Sequence, residues 1–151
     1  MPLIFAYGSN MDFTQMRERC SSATFVCKAS LTQHRLAFTR KSVNRDCGVS
    51  DVMPTPNSVV WGVVYNVPDN EMANLDSKEG VNSNSYVRRT GIVYQDGDEI
   101  KALNVDIYFA VPQENPPLPN QEYKDLIVNG AKQWDLPADY RAELEKIQIA
   151  P

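Results

Sequence analysis

The sequence predicts an α+β protein, with a curled or closed sheet flanked by helices. Two observations predict this class. Segments rich in β-branched and aromatic residues outnumber helical segments in the middle of the chain. The helical segments also do not alternate regularly with strands, as they would in a doubly wound fold. The chain has 151 residues, and one domain typically has about 100–200, so we expect residues 1–151 to form a single domain.

The first elements alternate between buried strand and turn. Leu3–Tyr7 is a short apolar run that ends in Gly8-Ser9-Asn10, which is typical of a buried strand entering a turn. Asn10 is a suitable N-cap for a helix over Met11–Arg19. Apolar pieces between residues 23 and 38 then predict one or two strands.

The middle of the chain holds the strongest strand signal. Residues 41–46 are polar and predict a loop, and we interpret the wider, weakly patterned stretch over 37–57 as loop as well. Val59–Tyr65 is rich in β-branched and aromatic residues and predicts a strand. Pro68 then opens a predicted helix that runs to Lys78, and Gly80 is a suitable residue to end it.

The last third predicts a hairpin, an irregular segment and two helices. Asp96-Gly97 is a strong turn signal between two strands. Four prolines between positions 112 and 119 exclude helix and central strand, which leaves an ordered linker or a lid. The predicted elements here are strands over Tyr86–Tyr94 and Glu99–Val111, a helix from Gln121 with Trp134 on its apolar face, and a short helix from Pro137.

Composition and charge exclude several classes of function. The net charge of −4 gives no attraction for nucleic acid or anionic lipid. No apolar run approaches the ~18–20 residues of a membrane span, and the N-terminus lacks the features of a signal peptide. We therefore expect a soluble, cytoplasmic protein with no nucleic-acid or membrane partner.

Cysteine and histidine usage narrows the chemistry further. The three cysteines contain no CxxC pair and predict reduced thiols rather than a disulfide framework or a zinc site. Serine-type, cysteine-type and histidine-rich metal chemistry would all depend on the single histidine, His34. No acidic residue near it in sequence could orient it, so a surface or strand position is the simpler interpretation. The sequence predicts no metal site.

Two features could carry chemistry, and each has a purely structural alternative. The glycine in Tyr7-Gly8-Ser9-Asn10 lets a backbone approach a ligand closely, and the helix start beyond it attracts an anion; the alternative is an ordinary capped turn. Glu79 lies at a predicted helix C-terminus, where the helix dipole disfavours negative charge. It is therefore a candidate for proton transfer, or else a solvated side chain beside Lys78.

Four motifs in order resemble one protein family. The motifs are residues 5–11 (FAYGSNM), 60–64 (VWGVV), 75–81 (LDSKEGV) followed by Tyr86, and the tail over 122–140. Together they resemble the gamma-glutamylcyclotransferase family, the AIG2-like proteins. Each motif is moderately specific, but the resemblance covers nearly the whole chain at similar spacing.

The resemblance implies a fold, a reaction and a set of site residues. The fold would be a small mixed β-barrel flanked by helices. The enzyme class would be a carbon–nitrogen lyase or acyltransferase-like cyclotransferase of glutathione metabolism. In its reaction, the α-amine of a γ-glutamyl compound would attack its own side-chain carbonyl, giving 5-oxoproline and a free amine. No cofactor is implied. Glu79 would be the general acid/base, and the substrate would be bound by the residues Ile4, Phe5, Ala6, Tyr7, Gly8, Ser9, Asn10, Tyr86, Tyr108 and Tyr123.

Some questions stay open at this level. The leaving group could be an amino acid or another amine. A non-catalytic module that keeps the pocket, for binding or regulation, is an alternative to an enzyme. The last helices could pack on their own domain or on a second copy in a homodimer.

Overall fold

Five strands close into a β-barrel, and four α-helices pack against it, in the computed structural model, which describes residues 2–151. The strands are β1 (Leu3–Ala6), β2 (Thr24–Ser42), β3 (Cys47–Asn66), β4 (Tyr86–Gln95) and β5 (Ala102–Ala110). The helices are α1 (Phe13–Arg19), α2 (Met72–Lys78), α3 (Gln121–Gln133) and α4 (Ala138–Glu145).

The barrel is mixed in strand direction. Its strand order is β1-β3-β2-β4-β5, and β5 closes the barrel by pairing parallel with β1 at Ile4 and Asp106. The other neighbouring strands pair antiparallel. This arrangement confirms the predicted α+β class and the barrel that the resemblance implied.

Strand β1 is apolar throughout because both of its faces are buried. Successive side chains point to opposite faces of a strand. Phe5 packs inside the barrel with Val64 and Ile107, whereas Ile4 packs in a second cluster that includes Ile127 of α3. A strand covered on both faces carries a continuous apolar run rather than an alternating pattern, as predicted for Leu3–Tyr7.

Strands β2 and β3 form one long hairpin, and here the sequence prediction was wrong. The stretch over 37–57 pairs as strand, with Ala37 opposite Asp51, and only residues 43–46 form the turn. The prolines at 54 and 56 are tolerated because, within residues 2–151, β1 pairs with β3 only at 63–66. A proline has no backbone N–H to donate to a neighbouring strand, and this costs nothing on an edge where no strand pairs.

The start of α1 also differs from the prediction. Asn10 is not its N-cap; it lies in a single 3₁₀ turn over Ser9–Met11. Asp12 caps the helix instead, and its side chain accepts a hydrogen bond from the Gln15 amide at 3.0 Å. The side chain of Asn10 is therefore available for another role.

The remaining local signals behave largely as predicted. Gly80 follows α2 with a φ of +72°, in the left-handed region that glycine adopts readily. Asp96 and Gly97 both have positive φ in the turn after β4, but β5 begins at Ala102 rather than Glu99. Residues 112–119 form neither helix nor strand.

The cysteines and the histidine have no shared site. The three cysteines, Cys20, Cys27 and Cys47, are free and buried. His34 lies in β2, where its Nδ1 is 2.8 Å from the Thr32 carbonyl oxygen. Within residues 2–151, no helix is long and apolar enough to cross a membrane.

Candidate active site

The loop after β1 is held in place from two sides. Tyr65 of β3 places its hydroxyl 2.8 Å from the Asn10 carbonyl and 3.1 Å from the Met11 carbonyl. Trp134 donates its indole N–H to the same Met11 carbonyl at 2.8 Å. On the α3 side, Gly130 packs so closely that an added Cβ would lie 2.5 Å from the Met11 carbonyl carbon. The barrel and α3 therefore fix the loop backbone between them.

Glu79 lies directly after α2 and points toward this loop. Its side chain is 15% exposed, so it is not the solvated residue that the alternative interpretation described. Its Oε1 accepts a hydrogen bond from Asn10 Nδ2 at 2.8 Å and lies 3.4 Å from Arg19 Nη1. The turn at Gly80 ends the helix at this point and lets the carboxylate face the barrel.

Helix α1 supplies two residues that orient Asn10. Gln15 and Arg19 lie four positions apart and so share a helix face. Gln15 Nε2 donates to Asn10 Oδ1 at 2.9 Å and to Ser9 Oγ at 2.7 Å, while Arg19 Nη1 donates to Asn10 Oδ1 at 3.1 Å. Because both donors hold the amide oxygen, the amide nitrogen of Asn10 is turned toward Glu79.

The surroundings of Glu79 favour its protonated form. Burial raises the pKa of the Glu79 carboxyl above its ordinary value, because the charged form loses hydration. Arg19, Asn10 and Arg45 lower this pKa, and Asp76 raises it, but burial is the largest effect. A carboxyl whose pKa is raised by burial is better suited to accept a proton and return it during a reaction.

Four tyrosines surround the same space with their hydroxyls engaged, and the hydroxyl of Tyr108 donates to the Asp76 carboxylate. Tyr7 donates to the Tyr108 carbonyl, and Tyr86 donates to the Ser50 carbonyl. The Tyr123 hydroxyl lies 2.9 Å from Ser50 Oγ and accepts from the Ser50 amide at 3.0 Å. Burial raises the pKa of each of these phenols above its ordinary value. They are therefore neutral hydrogen-bonding groups at physiological pH.

One cavity brings the predicted site residues together. It is lined by Ile4, Phe5, Ala6, Tyr7, Gly8, Ser9, Asn10, Glu79, Tyr86, Tyr108 and Tyr123, and also by Met16 and Ser50. Sequence reasoning missed the last two residues. Ser50 had no local signal, because it lies in the stretch that was predicted as loop. Its hydroxyl would overlap a Cβ at position 8, which explains why a glycine stands there.

Within residues 2–151, no group of three or more histidine, cysteine, aspartate or glutamate side chains could hold a metal ion. The polar groups that line the cavity are one carboxylate, an amide and hydroxyls. The chemistry available to these side chains is proton transfer and hydrogen bonding.

Comparison with known proteins places the chain among relatives. The model of the AIG2-like family matches residues 59–144. The gamma-glutamylcyclotransferase of Homo sapiens is 34% identical, in an alignment covering 97% of this chain and 78% of that protein. The chain belongs to the gamma-glutamylcyclotransferase family. The gamma-glutamylcyclotransferase of Mus musculus is 33% identical, in an alignment covering 97% of this chain and 78% of that protein.

The fold comparison agrees with this assignment. A solved gamma-glutamyl cyclotransferase superposes with a TM-score of 0.91 and 30% sequence identity, covering 99% of this chain and 89% of that chain. The likeness to this gamma-glutamyl cyclotransferase therefore extends over the whole barrel and its helices.

Proposed function

We propose that this member of the gamma-glutamylcyclotransferase family is an enzyme that cyclises γ-glutamyl compounds to 5-oxoproline and releases the attached amine. The observation that carries the proposal is the buried carboxylate of Glu79, which is hydrogen-bonded to Asn10 in a cavity shared with the loop over residues 7–10. Family membership supplies the type of reaction, and Glu79 is the group in this cavity suited to proton transfer.

The reaction is intramolecular, so the protein supplies no nucleophile. The substrate's α-nitrogen forms a bond to its own γ-carbonyl carbon, and the bond from that carbon to the leaving nitrogen breaks. An α-ammonium group must lose two protons to become the lactam N–H, and the leaving nitrogen takes up two to depart as an ammonium ion. Glu79 accepts a proton from the α-nitrogen and delivers one to the leaving nitrogen. Such general acid/base catalysis is worth ~10²–10⁴-fold in rate.

The loop and the tyrosines would bind and orient the substrate. Backbone amides of Gly8 and Ser9 bind the α-carboxylate, and the neutral phenols of Tyr86 and Tyr123 present hydrogen-bonding groups to the γ-glutamyl part. The anchoring of the loop by Tyr65 and Trp134 supports this role, because a rigid loop can hold the chain in its cyclising conformation. Orientation of this kind contributes up to ~7–11 kcal/mol in favourable intramolecular reactions.

The test is 5-oxoproline release from a panel of γ-glutamyl amino acids, γ-glutamyl amines and glutathione. Glu79→Gln keeps the size of the side chain and an oxygen for Asn10, but it removes the titrating group. Glu99→Gln is a matched control, because Glu99 is exposed and outside the cavity. We expect release by the wild type and the control, and a loss of at least ~10²-fold in Glu79→Gln.

Other outcomes would overturn the proposal in distinguishable ways. Binding of γ-glutamyl compounds without release of 5-oxoproline would favour a non-catalytic binding or regulatory module. Release that does not depend on Glu79 would keep the activity but reject the acid/base role. If the protein neither binds γ-glutamyl compounds nor releases 5-oxoproline, its likeness to the family would be one of fold alone.

A further inference from the structure

A second and larger cavity, of about 660 Å³, opens next to the first. The two cavities share Ser9, Glu79, Tyr86 and Tyr123 in their walls. We call the larger one the vestibule. If the γ-glutamyl group occupies the inner cavity, as the proposed function requires, the group beyond the scissile bond extends past Glu79 into the vestibule.

The vestibule concentrates positive charge in an acidic protein. The chain as a whole has a net charge of −4, yet basic side chains in the vestibule wall outnumber acidic ones. The basic residues are Arg19, Arg40, Lys41, Arg45 and Lys78, and the acidic residues are Glu18 and Glu79. A cleft lined by one sign of charge focuses its field and attracts ligands of the opposite sign.

Two of the five cations already have an acidic partner within 4 Å. Arg19 pairs with Glu79, and Lys41 pairs with Asp46 at 3.0 Å. The other three, Arg40, Arg45 and Lys78, form no ion pair within residues 2–151. The vestibule therefore holds several positive charges without anionic partners in the protein.

Arg45 is the most firmly positioned of these cations. Its Nη2 donates to Gln15 Oε1 at 2.7 Å, and its guanidinium carbon lies 5.0 Å from the centre of the Tyr123 ring. Its backbone carbonyl accepts a hydrogen bond from Asn120 Nδ2 at 3.3 Å. Because Tyr123 and Gln15 both line the vestibule, the guanidinium is fixed at its boundary with the inner cavity.

We propose that Arg45 is a specificity-determining residue, and that the vestibule selects γ-glutamyl compounds whose leaving group carries at least two negative charges. Arg45 binds the anionic group nearest the scissile bond, and Arg40 and Lys78 attract the outer one. The proposal rests on the proposed function and adds the chemical class of the leaving group to it.

The first test compares three substrates that differ in the charge of the leaving group. γ-Glutamyl-glutamate releases an amine with two carboxylates, γ-glutamyl-alanine one with a single carboxylate, and γ-glutamyl-alaninamide one with none. We expect kcat/KM to rise with each added carboxylate. A hydrogen bond to a charged group is typically worth about 10- to 100-fold, so we expect the glutamate and alaninamide compounds to differ by at least tenfold. The ratio should shrink as salt is added, because salt screens charge.

The second test assigns the preference to Arg45. Arg45→Gln should lower kcat/KM for the two anionic substrates by about 10-fold or more, and it should lower kcat/KM for the alaninamide compound by a clearly smaller factor, because that compound loses only the support that Arg45 gives to Gln15. Arg45→Lys should recover part of the loss, because it keeps the charge without the planar fork. Arg35→Gln is the matched control, since Arg35 is exposed on β2 and lies outside both cavities.

Three results would overturn the inference. Equal kcat/KM for the glutamate and alanine compounds would reject selection for a second negative charge. A loss in Arg45→Gln that is the same for charged and neutral substrates would mean that Arg45 only positions Gln15 and the loop. A loss of kcat/KM in Arg35→Gln that is larger than the loss in Arg45→Gln would reject the role of the vestibule in selecting substrates. Absence of 5-oxoproline from all three substrates would instead reject the proposed function.

Discussion

The packing of α3 against the site loop makes Gly130→Ala a sensitive perturbation. A Cβ at position 130 would lie 2.5–2.7 Å from atoms of Met11 and Asp12, two of them backbone. Carbon atoms prefer separations of about 3.5–4.0 Å, so the helix and the loop must separate by about 1 Å. Backbone cannot rotate away as a side-chain tip can, and the shift would be passed to Asn10 and its hydrogen bond to Glu79.

Two effects of this substitution can be weighed. Overpacking typically costs about 1–3 kcal/mol, and the better helix propensity of alanine returns about 1 kcal/mol. We therefore expect a net loss of roughly 0–2 kcal/mol in the free energy of unfolding. A misplacement of about 1 Å can cost about 10²-fold in rate. We therefore expect kcat/KM to fall by about this factor even where the free energy of unfolding changes little.

The assay combines 5-oxoproline release with urea denaturation. Gly91→Ala is a suitable control, because a Cβ there would meet only the flexible tip of the Ile107 side chain at 2.7 Å. We expect the control to keep kcat/KM within a few-fold of the wild type. If Gly130→Ala keeps both wild-type activity and wild-type stability, the loop is not held by α3 and the positioning argument is wrong.

Three further outcomes follow from the same geometry. With Glu79 as the base, kcat/KM should fall as the pH drops through its pKa, and the midpoint should lie above the ordinary value for glutamate, because burial raises this pKa; a midpoint at or below the ordinary value would contradict it. The raised pKa also means that this carboxyl stabilises the fold below its unfolded-state pKa and that the contribution is lost as pH rises through the folded-state pKa. In thermal melts, Glu79→Gln should therefore unfold at the same or a higher temperature than the wild type at pH 7, with a smaller difference at pH 4. A variant much less stable than the wild type at pH 7 would argue against this burial cost. Asp12→Ala removes the side-chain cap of α1 and should cost about 0.5–2 kcal/mol in urea denaturation, whereas an unchanged midpoint would show that the cap contributes nothing.

The sequence predicted the elements whose signals are local. Gly80 ends α2 because a residue just past a helix often adopts positive φ, which glycine does without strain. Leu3–Tyr7 was identified as a buried strand because its apolar run is continuous. The motifs around Gly8 and Glu79 singled out residues that the fold brings into one cavity, although their roles in catalysis stay predictions.

The prediction was wrong where the outcome depended on a distant partner. Nothing within a few residues of Asp51 shows that Ala37 lies opposite it, so local signals predict a loop where the structure has a long hairpin. Asn10 has the composition of an N-cap, but Asp12 competes for that position and the neighbouring Gln15 and Arg19 hold the Asn10 side chain toward Glu79.

The fold class, the family and the short motifs follow from the amino-acid sequence alone, because these depend on backbone preferences and on side-chain patterns over a few residues. Which groups meet depends on how the elements pack in three dimensions. Ser50 enters the cavity through the pairing of β3, and Arg45, in the turn between β2 and β3, contacts Tyr123 of α3 and Gln15 of α1. Burial of Glu79, and so its raised pKa, likewise comes from residues far apart in the chain, because desolvation depends on everything that packs around a group rather than on its neighbours in sequence.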